Sequence, residues 1–421
     1  MTNKSKPRII VVGGGAAGLM AAGTAAQAGA QVLLMEKMKQ PGRKLAISGK
    51  GRCNLTNGAE ISDCIAHFGS NGRFLRQAFH RFFNHDLIDF FADNGLKTVT
   101  ERGGRVFPAN GRAPEVVKTL RHWLNKSGAT IRLSSPVKEL MVKDDQIVGV
   151  VAQGEEYFAT AVILATGGAS YPLTGSTGDG YRLAENVGHH IIPPRPALVP
   201  LVWAEPASGK LAGLSLRNVA VRLLINNKKA GEIFGELLFT EDGISGPAVL
   251  TLSGAAVDAL KNQDKVCFSL DLKPALDEKK LEARLLRDFQ NRGKESLDSL
   301  LRGVLPKEMV AFCLNFNAIS PQRQGHQVTA KERKRLRGWL KDCRLEVTGH
   351  RPLAEAIITA GGIDTKEIDP KTMASRRIKN LFFAGELLNI QADTGGYNLQ
   401  AAFSTGHLAG KTAAHIISTA H

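Results

Sequence analysis

Cysteine is scarce in this chain, and no two cysteines form a CxxC pair. Five cysteines are scattered over 421 residues. An odd, dispersed set indicates neither a disulfide framework nor a zinc site, and it favours the reducing cytoplasm. The sequence also lacks a Ser/His/Asp set, a cluster of metal ligands and paired carboxylates in a shared context. It therefore predicts no metal and leaves the catalytic side chains unassigned.

Long apolar runs are also missing. The stretch 9–35 carries no charge and follows a basic segment, which resembles a signal peptide or a membrane span. However, Thr24, Gln27, Gln31 and several glycines interrupt it. We therefore expect no membrane association and a cytoplasmic protein.

Acidic residues are outnumbered by basic ones, which gives a net charge of +16 and a pI near 9.7. The run 331–341 concentrates this charge, and Leu336, Trp339 and Leu340 recur in it at helical spacing. This pattern predicts an amphipathic helix with a solvated basic face. No zinc finger or RNP-type aromatic strand accompanies the run, so nucleic acid is the minority hypothesis for a partner.

The N-terminal region contains a complete nucleotide-binding signature. A β-branched run over 9–12 leads into Gly13-x-Gly15-x-x-Gly18, an Ala/Gly-rich helix and a second strand that ends on Glu36. Glycine permits the sharp turn and the close approach of a pyrophosphate to the helix N-terminus. A carboxylate at the end of the second strand can bind an adenosine ribose. This order predicts a Rossmann-type βαβ unit.

A glycine-rich basic loop over 42–57 follows directly. Its Arg and Lys side chains can neutralise a pyrophosphate, and its polar side chains can bond a ring edge; an ordinary flexible loop is the alternative. Disulfide reductases place a cysteine pair in this part of the chain, but Cys64 lies too far from Cys53 for that arrangement. We interpret Cys53 as a small packed residue.

Three later motifs indicate the same ligand. Segments 165–168 and 177–181 resemble the glycine-rich edge of flavoproteins built like fumarate reductase. Segment 383–386 ends a strand on Glu386, which is placed to meet a ribityl hydroxyl. Segment 394–400 opens a final helix whose N–H groups can stabilise negative charge on a reduced flavin. Together with the N-terminal unit, these motifs favour one extended FAD.

The chain pattern predicts an α/β fold: a Rossmann-like FAD-binding domain interrupted by an inserted β-barrel-like unit and a small helical unit. Helices are expected over 73–94 and 114–127, and alternating strands from Pro193 to Leu272. The phenylalanines of 79–91 are expected in the core, as are Leu281, Leu285 and Leu286 of the charged helical stretch. The domain boundaries are FAD-binding 1–193, β-rich insert 194–273, helical insert 274–341, return strand of the β-rich insert 342–353, and C-terminal FAD-binding part 354–421.

Long sequence strings closely resemble the YhiN/BaiN-type family of FAD-dependent oxidoreductases, which also includes aminoacetone-oxidase-like flavoproteins. The resemblance rests on strings that include PGRKLAISGKGRCNLTN, ATGGASYPLTGSTGDGY, LLFTEDGISGPAVLTLS, TAGGI and LFFAGELLNIQADTGGYNLQAAFSTG. Lys50 departs from the glycine that many relatives have in this loop. Glu241 and Asp242 stand where a histidine is common, so no catalytic role is carried over to that place.

The resemblance implies a three-part body and a set of FAD contacts. These contacts are Gly13, Gly15, Ala16, Ala17, Gly18, Glu36, Lys37, Arg43, Lys44, Ser48, Gly49, Cys53, Asn54, Val137, Ala165, Thr166, Gly167, Asp179, Gly385, Glu386, Gly396, Tyr397, Asn398 and Leu399. The implied activity is hydride transfer between a small organic substrate, or NAD(P)H, and flavin N5.

Two further hypotheses stay open at this point. The first is a nucleic-acid-associated flavoprotein that uses its basic insertion, and the second is a non-catalytic flavin-binding redox sensor. A second complete βαβ fingerprint is absent, so no stable nicotinamide domain is predicted, and NAD(P)H remains one candidate electron donor.

Overall fold

The computed structural model describes residues 8–203 and 208–419, which form two compact units. The first unit runs to Pro196 and resumes at Ala356, and the second comprises Ala197–Glu355.

The helices and strands follow in chain order. The first unit begins with β1 Arg8–Val12, α1 Ala16–Gln27, β2 Gln31–Met35, α2 Arg43–Ile47, β3 Thr56–Asn57, α3 Ile61–Ala66, α4 Arg76–Arg81, α5 Asn84–Asp93, β4 Thr98–Thr100, β5 Arg105–Pro108, α6 Ala113–Lys126, β6 Thr130–Arg132, β7 Val137–Lys143, β8 Gln146–Ala152, β9 Glu155–Phe158, β10 Ala161–Leu164, α7 Asp179–Glu185 and β11 Ile191–Ala197. The second unit contains β12 Leu201–Trp203, α8 Ser208–Leu211, β13 Ser215–Ile225, β14 Lys228–Phe239, β15 Gly243–Ser245, α9 Pro247–Lys261, β16 Val266–Asp271, α10 Glu278–Asn291, α11 Leu297–Leu301, α12 Lys307–Phe316, α13 Ala330–Lys341 and β17 Cys343–His350. The first unit then resumes with β18 Ile358–Ile363, β19 Leu381–Phe383 and α14 Tyr397–Thr419.

A parallel sheet organises the first unit. Its strand order is β19-β10-β1-β2-β6, and Ile10 of β1 pairs with Val162 on one side and Leu33 on the other. Parallel strands need helical crossovers, and the buried, β-branched strands β1 and β10 are typical of a sheet covered on both faces. The structure thus confirms the predicted βαβ unit. Two antiparallel sheets are inserted between strands of the parallel sheet: β3-β5-β4 lies between β2 and β6 in the chain, and β7-β8-β9 lies between β6 and β10.

The uncharged stretch 9–35 forms β1, α1 and β2. Among the helices within 8–203 and 208–419, none is both long and apolar enough to cross a membrane.

Helices α1 and α14 touch along their backbones. A Cβ at Gly406 would lie 2.3 Å from the carbonyl oxygen of Ala17, and one at Gly410 would lie 2.3 Å from that of Ala21. Only glycine permits so close an approach at these two positions. The alanine-rich face of α1 is thereby buried against the last helix.

The predicted helical region over 73–94 is confirmed, and it consists of two helices, α4 and α5. Of its phenylalanines, Phe79, Phe82, Phe83 and Phe91 lie in the core as predicted, and Phe90 is partly buried against it. Helix α4 stops at Arg81, Phe82 adopts an extended backbone, and α5 starts at Asn84. The carbonyl oxygen of Phe82 accepts a hydrogen bond from Ser404 Oγ at 2.6 Å, so a distant residue satisfies the group that a continuous helix would use internally.

The second unit is built on a closed barrel with the strand order β12-β15-β14-β13-β16-β17. All strand pairs in it are antiparallel, and β17 closes the ring on β12. The predicted α/β fold class with an inserted β-barrel-like unit is confirmed. The expected run of strands from Pro193 to Leu272 was wrong in two elements, because Ser208–Leu211 forms the short helix α8 and Pro247–Lys261 forms the helix α9.

Helices α10 to α13 form the charged part of the second unit. Leu336, Trp339 and Leu340 of α13 are buried, which confirms the predicted amphipathic helix. Arg333 donates to Glu282 of α10 at 2.6 Å, and Arg337 reaches the same carboxylate. Three basic residues of the run stay exposed: Lys331, Lys334 and Arg335. The assignment of Leu286 to the apolar face was wrong, since its side chain is 37% exposed.

Candidate functional site

The glycine motif places the end of β1 against the end of β10. Gly13 has a φ of 104°, and a Cβ there would lie 2.5 Å from the carbonyl oxygen of Ala165. A Cβ at Gly18 would lie 1.8 Å from the carbonyl oxygen of Gly13, so α1 packs directly on the turn. Gly15, in contrast, is exposed and faces open space at the N-terminus of α1. The backbone N–H groups of that helix end can therefore meet an anion.

Glu36 lies directly beside the glycine turn. Its Oε2 accepts a hydrogen bond from the backbone N–H of Gly14 at 2.7 Å, and its Oε1 accepts one from Met38 at 2.8 Å. The backbone of Ser135 donates to the carbonyl oxygen of Glu36 at 2.9 Å, and this contact brings the start of β7, with Val137, to the same edge. The carboxylate is thus fixed at the end of β2, where a ribose would lie in a Rossmann-type site.

The basic loop after β2 is ordered by unusual backbone conformations. Gly49 and Lys50 both have positive φ, at 58° and 56°, and Cys53 follows with a φ of 59°. Cys53 is fully buried, and burial raises the pKa of its thiol to about 12. A neutral thiol is neither a nucleophile nor a metal ligand. Cys53 and Cys64 are both free, and Cys53 is a packed residue as interpreted from the sequence.

Lys44 and Glu386 form the centre of a hydrogen-bonded cluster. Lys44 Nζ lies 2.8 Å from Glu386 Oε2 and 2.7 Å from Ser170 Oγ. Glu386 Oε1 also accepts from the backbone N–H of Thr359 at 2.8 Å, and Thr359 Oγ1 in turn accepts from the backbone of Ala169 and Ser170. The Glu386 carboxylate, for which a contact with a ribityl hydroxyl is predicted, therefore links four segments of the first unit.

A second charged pair joins the end of β2 to α7. Lys37 Nζ lies 2.6 Å from Asp179 Oδ2 and also donates to Thr177. Burial tends to raise the pKa of Asp179, but the hydrogen bond and charge of Lys37 outweigh it and lower that pKa. Beside this pair, a Cβ at Gly180 would lie only 1.9 Å from Thr166 Oγ1, so α7 packs closely on the end of β10.

The start of α14 completes the arrangement. The helix begins at Tyr397, as the glycine pair before it predicted. A Cβ at Gly396 would lie 2.4 Å from the carbonyl oxygen of Thr56, which brings the helix start against β3. The Asn398 side chain accepts from the backbone N–H of Ala392 at 2.9 Å and donates to its carbonyl oxygen at 2.9 Å. The Asn398 side chain therefore closes the turn that leads into α14.

Three buried side-chain atoms of the first unit have no hydrogen-bond partner within the described part of the chain. They are Asn54 Oδ1, Thr166 Oγ1 and Gln391 Oε1. Buried polar atoms are normally paired, so an unpaired one calls for an explanation such as a ligand. Two of them belong to the residues that the resemblance assigned to FAD. Together with the open space at Gly15, they fit an extended dinucleotide.

The predicted site residues come together at one edge of the parallel sheet. They lie at the carboxyl ends of β1, β2, β10 and β19, in the α2 loop, and at the starts of α7 and α14. In open parallel sheets ligands bind at this edge. Sequence reasoning missed Ser170 and Thr359, although both lie in strings that carried the resemblance. Their long-range bonds gave no local signal. That each predicted residue contacts FAD stays a prediction.

Comparisons with known proteins agree with this architecture. A family described as "HI0933-like protein Rossmann domain" matches residues 7–412. The chain is 32% identical to the 3-dehydro-bile acid delta(4,6)-reductase of Clostridium scindens, over 97% of this chain and 99% of that protein. It is 34% identical to the ribosomal RNA dihydrouridine synthase of Escherichia coli, over 94% of this chain and 95% of that protein.

Among solved structures, the fold is similar to that of a 3-ketosteroid delta1-dehydrogenase from Sterolibacterium denitrificans. The TM-score is 0.54 at 13% identity, with 97% of this chain and 99% of that chain covered. At such low identity the likeness concerns the fold alone.

Proposed function

The chain belongs to the HI0933-like Rossmann-domain family of flavin-dependent oxidoreductases, and we propose that it binds FAD and reduces a carbon–carbon double bond conjugated to a carbonyl group. Family membership agrees with the resemblance to YhiN/BaiN-type enzymes. The observation that carries the cofactor proposal is the cradle at the sheet edge, where Gly15 leaves open space at a helix N-terminus.

Different residues of the cradle are suited to bind different parts of FAD. Backbone N–H groups at the start of α1 would hold the pyrophosphate, and Glu36 would accept the ribose hydroxyls with lone pairs that Gly14 and Met38 leave available. Asn54 and Thr166 offer buried polar atoms to the ligand. The N–H groups at the start of α14 would favour negative charge on the pyrimidine edge of the flavin. When bound, the cofactor supplies a hydride from N5.

The proposed reaction follows from what two relatives share. One relative's name describes the reduction of bile-acid double bonds and the other the formation of dihydrouridine, so both names describe saturation of a carbon–carbon bond. In each substrate a carbonyl group is conjugated to that bond. A conjugated carbonyl draws electron density from the double bond, which makes the far carbon a hydride acceptor. The work of the protein is then to orient this carbon and to provide a proton.

A second candidate function has RNA, rather than a free small molecule, as the substrate. A net charge of +16 attracts polyanions, and Lys331, Lys334 and Arg335 are exposed on α13. These features favour a uracil carried by RNA as the acceptor over a free small molecule. Charge reversal at the three exposed positions should then weaken RNA binding. Arg333 serves as an inward-facing comparison, because Glu282 already pairs with it.

The test begins with the purified protein. We expect a yellow protein that releases FAD, identified by mass spectrometry. Under anaerobic conditions NADH and NADPH are each tried as reductants, and photoreduction serves if neither bleaches the flavin. The reduced protein is then mixed with cyclohexenone, with a steroid enone or with a ribosomal RNA transcript.

Reoxidation by an acceptor, together with its gain of a hydrogen pair, supports the proposed reaction. A folded protein that refuses FAD contradicts the cofactor proposal. A flavoprotein whose reduced form transfers hydride to none of these acceptors contradicts the reaction alone.

A further inference from the structure

Within the described part of the first unit, two histidines lie within hydrogen-bond distance of a carboxylate, His189 and His67, whereas His190 Nδ1 lies 3.8 Å from Asp364 Oδ2. The two close pairs differ in one decisive respect. His189 is fully buried, with Nδ1 lying 3.0 Å from Glu367 Oε2 and Nε2 lying 2.9 Å from Ser375 Oγ. Both ring nitrogens of this histidine are occupied. Ser375 Oγ also accepts hydrogen bonds from two backbone N–H groups, so the hydroxyl is saturated. This first pair is a structural network.

The second pair leaves one nitrogen available. His67 Nδ1 lies 2.9 Å from Asp393 Oδ2, and the two side chains are 36% and 37% exposed. Within the described part of the chain, no hydrogen-bond partner contacts His67 Nε2. A histidine that acts as a general acid or base often has this arrangement. The carboxylate on one ring nitrogen fixes the ring orientation and the tautomer, and the second nitrogen is free to exchange a proton.

The pair lies at the start of α14. The imidazole of His67 stacks on the phenol ring of Tyr397, with the centroids 3.9 Å apart and the planes at 17°. Asn57 Nδ2 donates to the carbonyl oxygen of Gly395 at 3.1 Å, and Asn398 closes the turn that carries Asp393. These contacts hold the imidazole beside the helix end that the proposed FAD site uses.

We infer that His67 gives the proposed reduction its proton, with Asp393 as the positioning residue; this inference rests on the proposed function. The hydride adds to the carbon far from the carbonyl group and forms a C–H bond there. The π electron pair moves to the carbon next to the carbonyl. That carbon takes the proton from His67 Nε2, and the N–H bond breaks. The substrate gains two electrons and two hydrogen atoms, and the reduced flavin is the reductant.

Tyr397 stacks on the imidazole, and its raised pKa makes its phenol a weaker proton donor than an ordinary tyrosine. Burial raises the pKa of its phenol, and Cys64, Asp393 and Asp63 raise it further. The phenol therefore stays protonated throughout the neutral range, where imidazole side chains titrate. The titratable groups that interact with the pair are Asp393, Tyr397, Asp63 and Cys64. The segments 69–75 and 76–81, which pack against α3, carry Arg73, Arg76, His80 and Arg81.

The first measurement is a pH titration of the visible absorption of the FAD-loaded protein without substrate. We expect a one-proton spectral change in the wild type, its loss in His67→Gln and its displacement in Asp393→Asn. His122→Gln removes an exposed histidine on α6 and should leave the change in place. A wild type without such a change, or a change that survives in His67→Gln, overturns the inference.

The second measurement is the rate at which cyclohexenone reoxidises the photoreduced protein. We expect this rate to fall by a factor of about 100 in His67→Gln, the lower end of what general acids contribute. The rate in the wild type should fall as pH rises, and the rate in the variant should be independent of pH. An unchanged rate and profile overturn the inference. If cyclohexenone reoxidises no form of the protein, the proposed reaction fails, and the spectral titration still shows whether His67 exchanges a proton beside the flavin.

Discussion

Lys44 Nζ lies 2.8 Å from Glu386 Oε2, although 342 positions separate the two residues. The two side chains are about three-quarters buried, and Ser170 Oγ hydrogen-bonds to both of them. The backbone N–H of Thr359 also donates to Glu386. It links the basic loop after β2 to the end of β19, two segments that the proposed FAD site needs side by side. The site therefore depends on an internal ion pair as well as on its glycines.

Glu386→Ala should lower the free energy of unfolding by about 2 kcal/mol, because Lys44 would lose its counter-charge in a mostly buried position. FAD retention should fall with it. Urea denaturation and the absorbance of the purified variant measure the two effects. Glu355→Ala is the control, since it removes an exposed carboxylate that pairs with Arg351 and should cost less than about 0.5 kcal/mol. Equal losses in both variants would contradict the assigned importance of the cluster.

Gly180→Ala should destabilise the first unit by about 1–3 kcal/mol, because the added Cβ would overlap Thr166 Oγ1. Adding Thr166→Ala removes the hydroxyl and should restore part of that loss. A double-mutant cycle in urea measures the coupling. Strictly additive effects would show that the two residues do not touch.

Lys50→Gly should leave the free energy of unfolding within about 0.5 kcal/mol of the wild type. The left-handed backbone of Lys50 costs about 1 kcal/mol, and the greater chain entropy of glycine in the unfolded state offsets the relief of that strain. Lys50→Val should cost about 1–2 kcal/mol, because a β-branched side chain tolerates positive φ poorly. Lys39→Val, at an exposed site without positive φ, is the control. A Lys50→Val variant as stable as this control would contradict the backbone assignment.

His407 should make the protein less stable in mild acid. Burial, reinforced by Lys411, lowers the pKa of this side chain to about 4, and its ring stacks on Phe82. The unfolded chain takes up the proton near pH 6.5. As pH falls from about 6.5 to about 4, stability is lost, by at most about 3 kcal/mol, and the loss then levels off.

Urea denaturation at about pH 7 and about pH 5 measures this effect. The loss between the two values should be smaller in His407→Gln than in the wild type, and His122→Gln should behave like the wild type. An identical pH dependence in His407→Gln and the wild type would refute the assignment to His407.

The sequence pattern alone predicted those parts of the fold that are determined by residues close together in the chain. The unit from β1 to Glu36 was predicted from the sequence because strand, glycine turn and helix each have a short-range signature. Likewise, the alternation of apolar and basic residues in α13 identified its buried face.

Other elements depend on partners far away in the chain. The helical backbone is interrupted at Phe82, whose carbonyl oxygen accepts a hydrogen bond from Ser404 Oγ. The side chain of Asn84, where the next helix starts, donates to the carbonyl oxygen of Asn57. The helical period across this region gave no sign of those bonds. For α9 a signal existed, since Gly246 and Pro247 are typical of a helix start, but the apolar residues that follow also suit a strand.

The candidate site likewise contains residues that the local sequence predicted and residues that it did not. Glycines and strand-end acids were predictable because their chemistry is set by the immediate backbone. The partners of those acids were not, since Thr359 and Ser170 reach Glu386 only after the sheet has assembled. The pairing of His67 with Asp393 likewise joins residues 326 positions apart.

The contact of Gly406 and Gly410 with the backbone of α1 has a consequence for biosynthesis. The ribosome makes α1 well before α14, because most of the described chain lies between the two helices. Until α14 emerges, the apolar side of the first helix has no cover, and a nascent chain holds only half of the cradle for its dinucleotide. Cofactor capture should therefore follow the synthesis of α14, and chaperones would meet the exposed alanine surface before then.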